Sequence, residues 1–158
     1  MIDTAIILAA GLGKRMRDFD PAIPKPLIKV KNKPFIQYAI DLLNEIRTKR
    51  IIINVHYKSD EILKFIKNLN QNNIIVSDES DLLLDTGGGI KKIFDKYNIN
   101  KSLVLNSDVI WSDSDKELIV DMINSYPKEA EAFIGLVPKK NIRGFKGKGD
   151  FCILKNNN

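Results

Sequence analysis

The sequence predicts an α/β fold, a Rossmann-like and mostly parallel sheet with helices on both faces. Three observations carry that expectation. Apolar runs of strand length alternate with amphipathic helical segments five times along 158 residues, the order that a parallel sheet with crossover helices requires. The first run leads straight into a glycine-bearing turn, "LAAGLGKRM" at 8–16. The polar stretches 10–26, 56–58, 78–87 and 106–113 fall just after strands, where open α/β sheets bind ligands.

The elements follow in order. "TAIILAA" (4–10) is a continuous apolar run with strand character. "PFIQYAIDLLNEI" (34–46) places Phe35, Ile36, Ala39, Ile40, Leu43 and Ile46 at helical spacing, and Pro34 suits a first helical position. "RIIINV" (50–55) is a buried strand. "SDEILKFIKNL" (59–69) is a helix, with Ser59 as its cap and Asp60 and Glu61 in its first turn. "NIIVSD" (73–78) is a strand and "GGIKKIFDKY" (88–97) a short helix. "SLVLNSD" (102–108) is a strand. "DKELIVDMINSY" (115–126) is a helix with Leu118, Ile119 and Met122 inward, and "EAFIGLV" (131–137) is a final strand. No repeat and no linker divides the chain, so residues 1–158 read as one domain.

Composition narrows the classes. A chain of this length buries roughly 70% of its unfolded surface, enough for a core without staples. The single cysteine, Cys152, cannot close an internal disulfide and fits a reducing compartment. No signal peptide is visible, and the run 4–10 is too short to span a membrane. The expectation is a cytoplasmic protein with no membrane partner. The net charge of +5 suits an anionic small-molecule substrate. The basic runs "RTKR" (47–50) and "KKNIRGFKGKG" (139–149) lack the aromatic interleaving of a single-strand binder and any zinc spacing. Nucleic acid is therefore not the expected partner.

The glycine turn is read against three kinds of phosphate loop. The dinucleotide fingerprint G-x-G-x-x-G is met at Gly11 and Gly13, but its third place is Met16. The Walker loop ends in G-K-[ST]; Gly13 and Lys14 match, but Arg15 replaces the metal-binding hydroxyl and position 8 is leucine. The third reading uses the longer run "GLGKRMRDFDPAIPKPLIKV". Pro24 and Pro26 are expected to hold Lys25 in a stiff, extended segment. A loop that opens with glycines and returns with a clamped lysine can surround a polyphosphate.

"LAAGLGKRM…PKPLIKV…KPFIQYAIDLL", with "LLDTGGGI" (83–90) and "LVLNSDV" (103–109), resembles the sugar-1-phosphate nucleotidyltransferases, the enzymes that make nucleotide sugars. Within them, "TGGGI" and "GDF" (149–151) are most similar to the N-acetylmuramate-1-phosphate uridylyltransferase branch. The likeness covers nearly the whole chain in the right order. It implies a nucleoside triphosphate, with UTP expected, and a sugar 1-phosphate as substrates, with Mg²⁺ as cofactor.

That reaction needs no general base, because the attacking phosphate oxygen is already anionic. It needs positioning and fixed positive charge. The backbone of Ala10, Gly11, Leu12 and Gly13 can cradle the β and γ phosphates. By resemblance, Arg15 faces the leaving pyrophosphate and Lys25 the α-phosphate. Lys14 is either a further phosphate contact or a solvated lysine. Asp108, at the end of an apolar strand, can hold Mg²⁺. By resemblance, Thr86 and Gly87 touch the nucleotide, and Glu79 helps to read a pyrimidine. Asn106, Gly147 and Asp150 are candidates for the sugar pocket. His56 reads first as packing at a strand end and second as a sugar contact.

Family members continue beyond the "GDF" strand with a second acidic metal ligand, and no residue here matches it. The resemblance thus implies a domain incomplete at its C-terminus. An unfinished sheet edge would expose unpaired backbone and invite association between copies. Two classes stay open: an active nucleotidyltransferase, and a nucleotide-binding module or inactive relative without turnover.

Overall fold

The computed structural model describes residues 2–13, 22–82 and 84–152. The chain divides into two compact units, Met1–Asn124 and Ser125–Asn158.

The first unit is the α/β body. Strand β1 (Thr4–Leu8) is followed by two short strands, β2 (Lys29–Val30) and β3 (Lys33–Pro34), which form an antiparallel ribbon. Helix α1 (Phe35–Glu45) leaves that ribbon directly. Pro34 is therefore the residue before the helix rather than its first turn, and its φ of −60° and ψ of 146° suit the strand it ends. Then come β4 (Arg50–Val55), α2 (Ser59–Leu69), β5 (Ile74–Asp78), α3 (Thr86–Tyr97), β6 (Leu103–Asn106) and α4 (Asp113–Asn124).

The central sheet has the order β5-β4-β1-β6, and every pair is parallel. Side-chain alternation along the strands sends successive residues to opposite faces. Ala5, Ile7, Ile51, Ile53, Val55, Leu103 and Leu105 pack with Ile36, Ala39, Ile40 and Leu43 of α1, Ile62 of α2 and Ile119 of α4. Ile6 and Ile52 point the other way, onto Ile93 of α3 and Ile99. Helices thus cover both faces, as the sequence predicts. Fully buried isoleucines on both faces explain why these strands read as continuous apolar runs.

The helix starts differ from expectation for local reasons. Lys58, in the left-handed region at φ 52°, precedes α2, so Ser59 is its first residue and not its cap. Helix α3 begins at Thr86, two residues before the expected start at Gly88, so all three glycines lie inside its first turn. Helix α4 begins two residues earlier than the apolar spacing indicates, because Asp115 reaches back to accept a hydrogen bond from the Ser112 backbone N–H at 2.8 Å. Leu118, expected inward, is 67% exposed, while Ile119, Met122 and Ile123 make the packed face.

In the second unit the expected strand at 131–137 does not form. Its backbone joins no sheet among the described residues, and Phe133, Ile134, Leu136 and Val137 are exposed. Strand propensity is realised only where a neighbouring strand and a buried face receive the segment. The order described there includes a 3-10 turn at Lys139–Asn141 and Tyr126, whose ring meets Phe133 edge-on at 6.2 Å and whose hydroxyl donates to the Ala130 carbonyl. Among the described residues no helix is long and apolar enough to cross a membrane.

Candidate active site

From β1 the chain continues to β4 on one side of the sheet order, and β6 lies on the other. The connection therefore reverses at β1, and the crevice beyond the carboxyl ends of β1 and β6 is where such a sheet binds ligands. A cleft of about 550 Å³ opens there.

Its floor is the chain leaving β1. Ala9 and Ala10 are buried, and the Ala9 backbone N–H donates to Asn54 Oδ1 on β4 at 2.8 Å. Gly13 turns the loop in the left-handed region at φ 58°, and a Cβ there would lie 3.2 Å from Cβ of Lys25. A glycine is needed at 13 both for the dihedral and for this close approach.

The lysine limb differs from the sequence reading. Pro24 is extended, but Lys25–Leu27 form one 3-10 turn, closed by Leu27 N–H donating to the Pro24 carbonyl at 2.8 Å and Ile28 N–H to the Lys25 carbonyl at 3.2 Å. Pro26 is tolerated as the second residue of this turn because no donor is required of it there. The turn, rather than two extended prolines, directs Lys25. Its Nζ forms an ion pair with Oδ2 of Asp108.

Asp108 is placed by β6. Ser107, buried behind it, donates its backbone N–H to the Leu8 carbonyl at 3.3 Å and carries the β1–β6 pairing one residue further. Lys25 and Asp108 keep 29% and 35% side-chain exposure, so a ligand can reach both.

Ala10, Gly11, Leu12, Gly13, Lys25, Thr86, Asn106 and Asp108 all line this one cleft. Gly87 sits one residue further into α3, exposed, outside the lining. Lys14 and Arg15 lie outside the described residues. Gly147 and Asp150 belong to the second unit and are exposed there.

Glu79 is a correction. It is 1% exposed and lies outside the cleft lining, so it does not offer its carboxylate to a base. Its Oε1 instead accepts a hydrogen bond from Asn54 Nδ2 at 3.1 Å. His56 Nδ1 lies 2.6 Å from the Glu79 backbone carbonyl. A carbonyl only accepts, so Nδ1 carries the proton, an assignment from the bonding pattern. This agrees with the packing reading of His56.

Asn54 is a cleft residue that the motif reading missed, as are Asp85 and Ser107. Its signal was present: a single amide inside the apolar run "RIIINV" must find buried partners.

Among the described residues no three His, Cys, Asp or Glu side chains gather as a metal cage. Mg²⁺ commonly takes one or two protein carboxylates and completes its shell with water and substrate phosphate. The half-exposed Asp108 fits an ion that arrives with a phosphate ligand.

Residues 4–146 match the family model described as nucleotidyl transferase. The chain is 30% identical over 145 residues to D-glycero-alpha-D-manno-heptose 1-phosphate guanylyltransferase of Aneurinibacillus thermoaerophilus, covering 89% of this chain and 60% of that protein. It is also 30% identical over 154 residues to N-acetylmuramate alpha-1-phosphate uridylyltransferase of Caulobacter vibrioides, covering 94% of this chain and 64% of that protein. Among solved structures, HddC from Yersinia pseudotuberculosis matches with a TM-score of 0.65 and 30% identity, over 78% of this chain and 55% of that one. The chain belongs to the nucleotidyl transferase family. The two relatives named above are sugar-1-phosphate nucleotidyltransferases, and the chain spans 60% and 64% of their lengths.

Proposed function

We propose that this chain carries the nucleotide and metal side of a sugar-1-phosphate nucleotidyltransferase site. The observation that carries this reading is the convergence of Lys25 and Asp108 in a cleft whose floor is the glycine loop. In the reaction an oxygen of the sugar phosphate bonds to the α-phosphorus of a nucleoside triphosphate. The bond from that phosphorus to the bridging oxygen breaks, and pyrophosphate leaves with the electron pair. Two anions meet and charge grows on the departing group, so preorganised cations lower the barrier most.

Lys25 is assigned to the α-phosphate, and the backbone of Gly11, Leu12 and Gly13 to the β and γ phosphates. Arg15 is assigned to the leaving pyrophosphate by family resemblance. Asp108 is assigned to Mg²⁺, which when bound supplies charge neutralisation at the phosphates. Thr86 and Gly87 are assigned to the nucleoside, and Asn106 to the sugar. UTP with N-acetylmuramate 1-phosphate is the proposed pair, on the motifs "TGGGI" and "GDF". The guanylyltransferase relative makes GTP with a heptose 1-phosphate the competing pair. Cytoplasmic residence and association between copies belong to the same proposal.

Exchange of labelled pyrophosphate into the nucleoside triphosphate, dependent on sugar 1-phosphate, tests it. Exchange with one pair supports a transferase and names its substrates. Nucleotide binding without exchange would mark a binding module instead.

A further inference from the structure

Behind the cleft lies a buried polar pair that connects two of its walls. Asn54 is 3% exposed and Glu79 1%. Asn54 uses both ends of its amide: Oδ1 accepts from the Ala9 N–H at 2.8 Å, and Nδ2 donates to Glu79 Oε1 at 3.1 Å. Ala9 is the root of the glycine loop. Glu79 directly follows β5 and is fixed through its own backbone, whose N–H donates to the Val55 carbonyl at 2.8 Å.

The first turn of α3 closes on the same pair. A Cβ at Gly89 would stand 2.9 Å from Glu79 Oε1 and 3.0 Å from Asn54 Nδ2. Only a glycine lets the helix approach this closely. Gly89 N–H donates to the Asp85 carbonyl at 2.9 Å, and Asp85 and Thr86 line the cleft. Glu79 Oε2 has no hydrogen-bond partner among the described residues. Leaving a polar atom buried in this way is costly.

We propose that Asn54 and Glu79 are positioning residues, which set the spacing between the glycine loop and the first turn of α3 and so hold the phosphate-binding backbone in its binding geometry before a ligand arrives. Glu79 lies outside the cleft lining, and Asn54, which lines the cleft, turns both ends of its amide to Ala9 and Glu79. The proposal rests on the phosphate-binding reading above and adds the device that makes the loop rigid.

The test uses the full chain, with inorganic pyrophosphate and Mg²⁺ as a probe that carries no base or sugar. Affinity is measured by calorimetry, and exchange of the Ala9 amide by hydrogen–deuterium exchange. Asn54→Ala and Glu79→Ala are each expected to weaken pyrophosphate binding by on the order of tenfold, because a small misplacement of binding groups is costly. The double variant is expected to be little weaker than either alone, since the two act as one unit. Glu79→Gln keeps an acceptor oxygen for Asn54 and is expected to recover most of the affinity lost in Glu79→Ala. Ala9 amide exchange should rise in Asn54→Ala. If Asn54→Ala fails to fold, the Glu79→Ala and Glu79→Gln comparison reads the same link.

Wild-type affinity in folded Asn54→Ala or Glu79→Ala would overturn the proposal and leave the phosphate site standing. Losses that simply add in the double variant would also overturn it. A wild-type chain that binds no pyrophosphate would overturn the phosphate reading and this proposal together.

Discussion

Lys25 and Asp108, 83 residues apart in the chain, form an ion pair in the cleft between β1 and β6. Each neutralises the other, so neither is left as an isolated charge. A triphosphate carrying Mg²⁺ offers each a partner of the opposite sign. On the proposed function, ligand entry would replace one pair by two, with Lys25 on phosphate and Asp108 on the cation.

If Lys25 stabilises the charge that grows during transfer, Lys25→Ala lowers kcat by on the order of 10²–10³, the size seen for one preorganised donor. Steady-state kinetics on the best substrate pair measures this. Unchanged turnover would remove Lys25 from the reacting centre.

Asp108→Asn keeps the side-chain shape and removes the negative charge. The expected outcome is that nucleotide affinity no longer responds to Mg²⁺. Calorimetric titration of UTP with and without the ion compares the two proteins. A Mg²⁺ response equal to that of the wild type would take Asp108 out of the metal site.

The three glycines of α3 separate by packing. Gly89 has no room for a Cβ, whereas one at Gly87 meets nothing within 4 Å. Gly89→Ala is expected to destabilise the protein by about 1–3 kcal/mol, the usual cost of overpacking. Gly87→Ala is expected to be neutral or to stabilise by up to about 1 kcal/mol through helix propensity. Urea midpoints for the two variants give the comparison. Equal midpoints would contradict the close approach of α3 to Asn54 and Glu79.

Asp78 ends β5, and its carboxyl is held below its ordinary value, first by the hydrogen bond from the Ser80 side chain and next by that from the Ser80 backbone. A depressed carboxyl stabilises the fold above its unfolded pKa, and the contribution fades as pH falls through the folded value. Ser80→Ala should therefore move the Asp78 titration upward, towards the ordinary carboxyl value. NMR titration of the carboxyl carbon reads the shift. An unmoved midpoint would show that the Ser80 hydroxyl is not its cause.

The parallel sheet was legible because each central strand is covered on both faces, which leaves an apolar run with no polar alternation. Helix starts were less so. Asp115 begins α4 early by bonding back to Ser112, and the glycines at 87–89 hide a first turn behind a loop-like composition. The segment 131–137 has strand residues but no strand partner among the described residues, which no local pattern can announce. At the site, the motifs brought Gly11, Gly13, Lys25 and Asp108 to one cleft from three parts of the chain. The roles of Asn54 and Glu79 were not legible, because they follow from the tertiary meeting of β4, the residue after β5, and α3. A carboxylate just after a strand reads as a ligand contact until its burial is known.

The most direct test of the central claim is pyrophosphate release by the purified chain with Mg²⁺. UTP, GTP, CTP and ATP would each be offered with N-acetylmuramate 1-phosphate, a heptose 1-phosphate, N-acetylglucosamine 1-phosphate and glucose 1-phosphate. The expected result is release that requires both substrates, is greatest with one pair, and falls at least a hundredfold in Lys25→Ala. Release with no pair, or release indifferent to Lys25, would contradict nucleotidyl transfer at this cleft.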